Sequence, residues 1–166
     1  MKIAFFDIDG TLINAQNGMM QPDEQTKQVL NAFQQQGNKI IIASARGVVP
    51  EGLNDIDFDG YVLSDGHYII YNHEVLIDEI MSEQEVQKQI DIYQKYQGRP
   101  MFYGHKGQWC DCLDDELVVK HRLMFQGNNL RPKDAIEDYK ASDVKAISCC
   151  VLFENSRNKC GKPIMS

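Results

Sequence analysis

Apolar residues along the chain alternate between short unbroken runs and a three-to-four-residue period, and each change marks an element. Ile3-Ala4-Phe5-Phe6 is a run with β-branched and aromatic members that closes at Asp9-Gly10, which predicts a buried strand ending before a turn. Asn17-Gly18 then predicts a hairpin turn. The stretch from Pro22 to Gly37 predicts a helix. Pro22 sits near its first turn, Asp23 and Glu24 suit the positive end of the dipole, Val29, Leu30 and Phe33 form its apolar stripe, and Gly37 ends it. Lys39 to Ala43 and Tyr61 to Leu63 predict two further strands, and the alternation of strands with a helix begins a doubly wound parallel sheet.

Two short alternating runs around Asn72-His73 predict a hairpin, and a second unit follows. Its first helix has Ser82 as N-cap, Glu85 completing a capping box and Gly98 at its end. A hairpin turning at Lys106-Gly107 comes next, then a helix over DDELVVKHRLMFQG and a helix or polar connector over RPKDAIEDYKA. VKAISCCVLFE predicts a strand, and the aperiodic NSRNKCGKPIMS predicts a frayed end.

At 166 residues and 43% hydrophobic content, the chain can hold one ordinary domain, or a small domain and part of another. The net charge of −7 and the absence of a long Lys/Arg stretch argue against nucleic acid and anionic membrane as partners. No apolar segment is long enough to span a bilayer and no signal core precedes the first strand, so a cytoplasmic protein is expected. Cys110, Cys112, Cys149, Cys150 and Cys160 lack the C-x-x-C spacing of structural zinc sites and read as thiols of a reducing compartment.

Asp7 and Asp9 fall at the carboxyl end of the first strand, which is the ligand-binding end of an open α/β sheet. Asp7-Ile8-Asp9-Gly10-Thr11-Leu12 after an apolar strand resembles the first motif of the haloacid dehalogenase superfamily of phosphatases and phosphotransferases. The resemblance implies Asp7 as nucleophile, forming an aspartyl-phosphate. Asp9, two residues on and on the same face, is implied as general acid and then general base. It also implies Mg²⁺, held by the Asp7 carboxylate and the Asp9 backbone carbonyl, to neutralise the anions that meet there.

Ser44-Ala45-Arg46, at the end of the second predicted strand, resembles the Thr-Gly-Arg of the Cof-type sugar-phosphatase branch, with Ala45 a departure. Gly10, Thr11, Ser44, Ala45 and Arg46 are therefore the implied substrate contacts, and the implied substrate is a small phosphorylated metabolite. Ser64-Asp65-Gly66 stands where that branch has Asn-Gly, and here a simple Asp-Gly turn is the expected role. Residues 1–80 correspond to the N-terminal half of the family's core, and residues 81–166 to part of its inserted type II cap. In the latter, Trp109 is expected in the core, and His105 and Lys120-His121-Arg122 on a solvated face.

The family's later lysine motif and Gly-Asp-x-x-Asn-Asp-like segment have no counterpart, since Lys159 and Lys162 lie in the aperiodic end. The expectation is a truncated scaffold with weak or absent Mg²⁺ binding and impaired turnover. Its first strand, apolar on both faces, would be left as an edge that promotes self-association. A catalytically silent chain that binds a partner or phosphometabolite is the competing expectation, and a structural or redox module built on the cysteines is a third.

Overall fold

The structure, a computed structural model, describes residues 1–110, 115–125, 135–136 and 141–152. It divides into two compact units, Met1–Ile80 and Met81–Ser166.

In the first unit, β1 (Ile3–Phe6), β2 (Lys39–Ala43) and β3 (Gly60–Leu63) are parallel neighbours. A hairpin of β4 (Tyr68–Tyr71) and β5 (Glu74–Asp78) continues the sheet antiparallel in the order β1-β2-β3-β4-β5. Asn72 and His73 both take positive φ, which a two-residue turn matched to strand twist requires. The helix α1 (Glu24–Gln35) joins β1 to β2. Its cap is Asp23, whose carboxylate accepts the Thr26 N–H at 2.7 Å, so Pro22 stands outside the helix and not in its first turn.

One sheet face carries the core. Ile40, Ile42 and Leu63 bury against Leu30 of α1 and against Ile8, Leu12, Leu53 and Phe58 from the loops. The other face is different at β1, where Ile3 is 51% and Phe5 61% exposed. The expectation of a buried first strand is thus corrected. Among the described residues β1 is the edge of the sheet, in line with the edge expected of it, and little packs against its odd-numbered side.

In the second unit, α2 (Glu83–Lys95) starts at Ser82 with both bonds of a capping box. Next come β6 (Arg99–Gly104), β7 (Gly107–Cys110), α3 (Glu116–Phe125), β8 (Ala135–Ile136) and β9 (Ser148–Leu152), with the strands in the order β8-β7-β6-β9. Phe102 and Trp109, a cross-strand pair, bury with Val86 of α2; Met101 and Cys110, one position along, bury with Val118 of α3. The period of two therefore places the helices on opposite faces.

Three details differ from the sequence reading. Gly104 pairs with Gly107, so the hairpin turns at His105-Lys106. Gly104 is needed for close approach, because a Cβ there would strike the Lys145 carbonyl. Ala135–Ile136, read as helix or connector, pairs in parallel with Gln108–Trp109. The last strand begins at Ser148, since Val144, Ala146 and Ile147 bury before it starts. The stretch 153–166 lies outside the described residues.

Candidate active site

Three strands end side by side, because the parallel register sets Phe6 beside Ile42 and Ala43 beside Val62. Beyond β1 the chain folds around Ile8, which is fully buried. Its carbonyl accepts the N–H groups of Thr11, Leu12 and Ile13 at 3.3, 3.0 and 3.0 Å. With Ile8 turned inward, Asp7 and Asp9 on either side of it are exposed. Gly10 closes the loop at φ 80° and donates its N–H to the Ile13 carbonyl at 2.7 Å. That donor, and the Thr11 N–H on Ile8, are thus engaged within the loop; Thr11 is exposed.

At the end of β2 the Ser44 N–H donates to the Val62 carbonyl at 2.9 Å, and the Ser44 hydroxyl accepts the Arg46 N–H at 3.2 Å. Ala45 is exposed between them. The Arg46 side chain reaches the loop after β1. Its Nε donates to Asp9 Oδ2 and its Nη2 to Asp9 Oδ1, both at 2.7 Å. Hydrogen bonding from Arg46 holds the Asp9 carboxyl below its ordinary value against the opposing effect of burial, and the Arg46 charge adds to the same direction. The hydrogen bond to Asp9 likewise raises Arg46, with burial opposing and the charges of Asp9 and Asp7 assisting. Asp7 accepts no hydrogen bond from the described residues.

The end of β3 adds a group that the sequence reading passed over. Ser64, Asp65 and Gly66 run through positive φ of 49°, 56° and 96°, and the Ser64 N–H donates to the Arg46 carbonyl at 3.0 Å. Ser64 is buried, and its hydroxyl has no partner among the described residues. Asp65 is an exposed turn residue. Arg46, after a serine at a parallel strand end, is expected to partner a phosphate or the loop around it, and the structure shows the contact with the loop, on Asp9.

Among the described residues no three His, Cys, Asp or Glu side chains gather into a metal-binding group. The Asp7 carboxylate and the Asp9 carbonyl, which accepts no backbone N–H there, are hard oxygen donors of the kind Mg²⁺ takes while keeping several waters. The Asp9 carboxylate is already engaged by Arg46.

In the second unit Trp109 is buried in the core, and Lys120 is exposed. His105 is half-buried; the side chains of His121 and Arg122 lie outside those described. Cys110, Cys149 and Cys150 form no disulfide, and Tyr93 and Tyr103 hydroxyls lie 3.3 and 3.6 Å from the Cys149 and Cys150 sulfurs. Cys112 and Cys160 lie outside the described residues, as do Lys159 and Lys162. No described helix is long and apolar enough to cross a membrane.

A family model for haloacid dehalogenase-like hydrolases matches residues 4–162. Among solved structures, a haloacid dehalogenase subclass IIB sugar phosphatase is similar at 27% identity and a TM-score of 0.70, over 90% of this chain and 57% of its own. A phosphatase of the same superfamily from Bacteroides thetaiotaomicron is similar at 16% identity and a TM-score of 0.75, over 95% of this chain and 57% of its own. A hypothetical protein from Geobacillus kaustophilus is similar at 21% identity and a TM-score of 0.69, over 90% and 57%. The chain thus spans 57% of the length of each of these three. No curated protein matches it in sequence.

Proposed function

The chain belongs to the haloacid dehalogenase-like hydrolases, and from that premise we propose a phosphatase of small phosphorylated metabolites, sugar phosphates among them, that works through an aspartyl-phosphate on Asp7. The observation that carries this reading is the exposed Asp7 carboxylate, without a hydrogen bond, at the carboxyl end of β1 beside the β2 end that bears Ser44. The similarity to a subclass IIB sugar phosphatase supports the substrate class.

In the first step Asp9 takes a proton from solvent, an Asp7 oxygen attacks phosphorus in line, the bond from phosphorus to the leaving oxygen breaks, and Asp9 gives that oxygen its proton. In the second step Asp9 takes a proton from water, the water oxygen attacks phosphorus, and inorganic phosphate leaves with Asp7 restored. Ser44 positions the phosphoryl group by hydrogen bonding. Mg²⁺, held by the Asp7 carboxylate and the Asp9 carbonyl, would neutralise the charge that gathers there. With these two protein oxygens alone among the described residues, that binding is weak. The reading fits a cytoplasmic enzyme, a compartment suited to the free thiols of Cys110, Cys149 and Cys150.

Turnover of p-nitrophenyl phosphate with Mg²⁺ tests the proposal. Slow hydrolysis that Asp7→Asn reduces to background supports it; equal rates in both chains overturn it. One observation favours a second reading. With both oxygens of Asp9 held by Arg46, a chain that binds phosphate without turning it over is the alternative, and phosphate binding with no Asp7-dependent hydrolysis would select it.

We also propose that a second copy of the chain meets the edge of β1. Ile3 and Phe5 are exposed on one side of that edge, and a groove of about 360 Å³ lined by Ala4, Phe6, Val29, Leu30 and Phe33 runs along the other. Antiparallel pairing about Ala4 would set Ile3 of each copy opposite Phe5 of the other, joining the two apolar patches. Sedimentation of a dimer that Phe5→Lys converts to monomer supports this. A monomer at every concentration refutes it.

A further inference from the structure

Arg46 is tied at its backbone and reaches outward with its side chain. Its N–H donates to the Ser44 hydroxyl at 3.2 Å and its carbonyl accepts the Ser64 N–H at 3.0 Å, which ties it into the ends of both β2 and β3. The guanidinium crosses to the loop after β1 and grips both oxygens of Asp9. The Asp9 side chain is nonetheless 54% exposed, against 27% for Arg46, so the pair sits where a solute can reach it. The charge of Asp7 also acts on that guanidinium.

A planar guanidinium fork fits a carboxylate and a phosphate with the same two-bond geometry, and a dianionic phosphate is the more highly charged partner. Both Asp9 oxygens are engaged by the guanidinium, so the carboxylate is oriented by Arg46. We propose that Arg46 is an exchangeable latch: before a substrate arrives it clamps Asp9, and a phosphoryl group entering beside Asp7 and Ser44 takes the guanidinium and releases the Asp9 carboxylate. The exchange is non-covalent. Two N–H bonds to Asp9 break and two to the phosphoryl oxygens form. The inference rests on the phosphatase reading and adds an order of events to it, in which anion capture precedes release of the acid–base group.

Inorganic phosphate, added without metal to the isotope-labelled full chain, is the probe. NMR follows the Arg46 Nε–H and the Ser44 amide, and phosphate affinity is measured for the parent, Asp9→Asn, Arg46→Gln and the double variant. The two resonances should move together to saturation. Asp9→Asn removes a negative charge in either background, so its general electrostatic effect cancels between them. With Arg46 present it should tighten phosphate binding by at least about threefold more than in the Arg46→Gln background. Saturation at Ser44 with Arg46 Nε unmoved, or an equal gain in both backgrounds, overturns the latch and leaves the phosphate site standing. No phosphate-dependent change at Ser44, in this titration and in one repeated with Mg²⁺, overturns the phosphatase reading and the latch with it. Should Arg46→Gln fail to fold, the resonances of the parent chain decide the matter.

Discussion

Two aspartates stand at opposite ends of the first sheet, each paired with a cation, and they are held in different ways. Asp59, at the amino ends of the strands, accepts from Lys39 Nζ, from Gln34 Nε2 at 3.0 Å and from the Ile40 N–H at 3.0 Å, and its side chain is 12% exposed. Asp9, at the carboxyl ends, has Arg46 alone among the described residues and is 54% exposed. A carboxylate held by three donors from two elements locks α1 and β2 to the start of β3. A carboxylate with one exchangeable partner can change partners, and the loop chemistry of the fold is placed at that end.

The largest expected effect separates these roles. Asp59→Ala strands the N–H of fully buried Ile40 and the Lys39 ammonium, and should cost roughly 2–4 kcal/mol in urea unfolding. Asp9→Ala loses an exposed pair and should cost under about 1 kcal/mol in the same measurement. Similar losses at both positions would break the comparison.

Acid sharpens it. Burial opposes ionisation of Asp59, but Lys39, the Ile40 N–H and Gln34 outweigh it and hold its folded value below the ordinary one. Its contribution is present above the unfolded carboxylate range, near pH 4, and is lost as pH falls through the lower folded value. Lys39 is raised by the same bond, so its share is present below about pH 10 and is lost above that. The stability gap between the parent and Asp59→Ala should therefore be widest between those limits and shrink toward pH 3 in a pH series of unfolding curves. A gap that widens on acidification would contradict the assignment.

Smaller effects should follow the same division. Gln34→Ala loses bonds to Asp59 and to the Asp57 carbonyl and should cost about 1 kcal/mol. Ser44→Ala loses one bond from the Arg46 N–H in a half-exposed loop and should cost under about 0.5 kcal/mol. It should nevertheless weaken inorganic phosphate binding, read by titration, whereas Gln34→Ala should leave that binding unchanged.

How much of this was legible in sequence differs from residue to residue. The apolar stripe Val29, Leu30 and Phe33, the Ser82 capping box and the Asn72-His73 turn were all visible, because each is set by contacts within a few residues of chain. The two aspartates at the end of β1 were visible for the same reason, since spacing of two about a buried Ile8 places both on one side. The turn at His105-Lys106 was not, because Gly104 answers to Lys145, which is distant in sequence.

Sequence by itself determined the family, the order of elements in the first unit and the place of Asp7 at a strand end, all of which rest on local periodicity and a short motif. Only the tertiary structure decided that Arg46 grips Asp9 from 37 residues away, that Ser64 is buried against that same strand end, and that Asp59 anchors the opposite one. These pairings depend on the parallel register of β1, β2 and β3. Register is a property of strands packed side by side, and no stretch of chain read alone contains it.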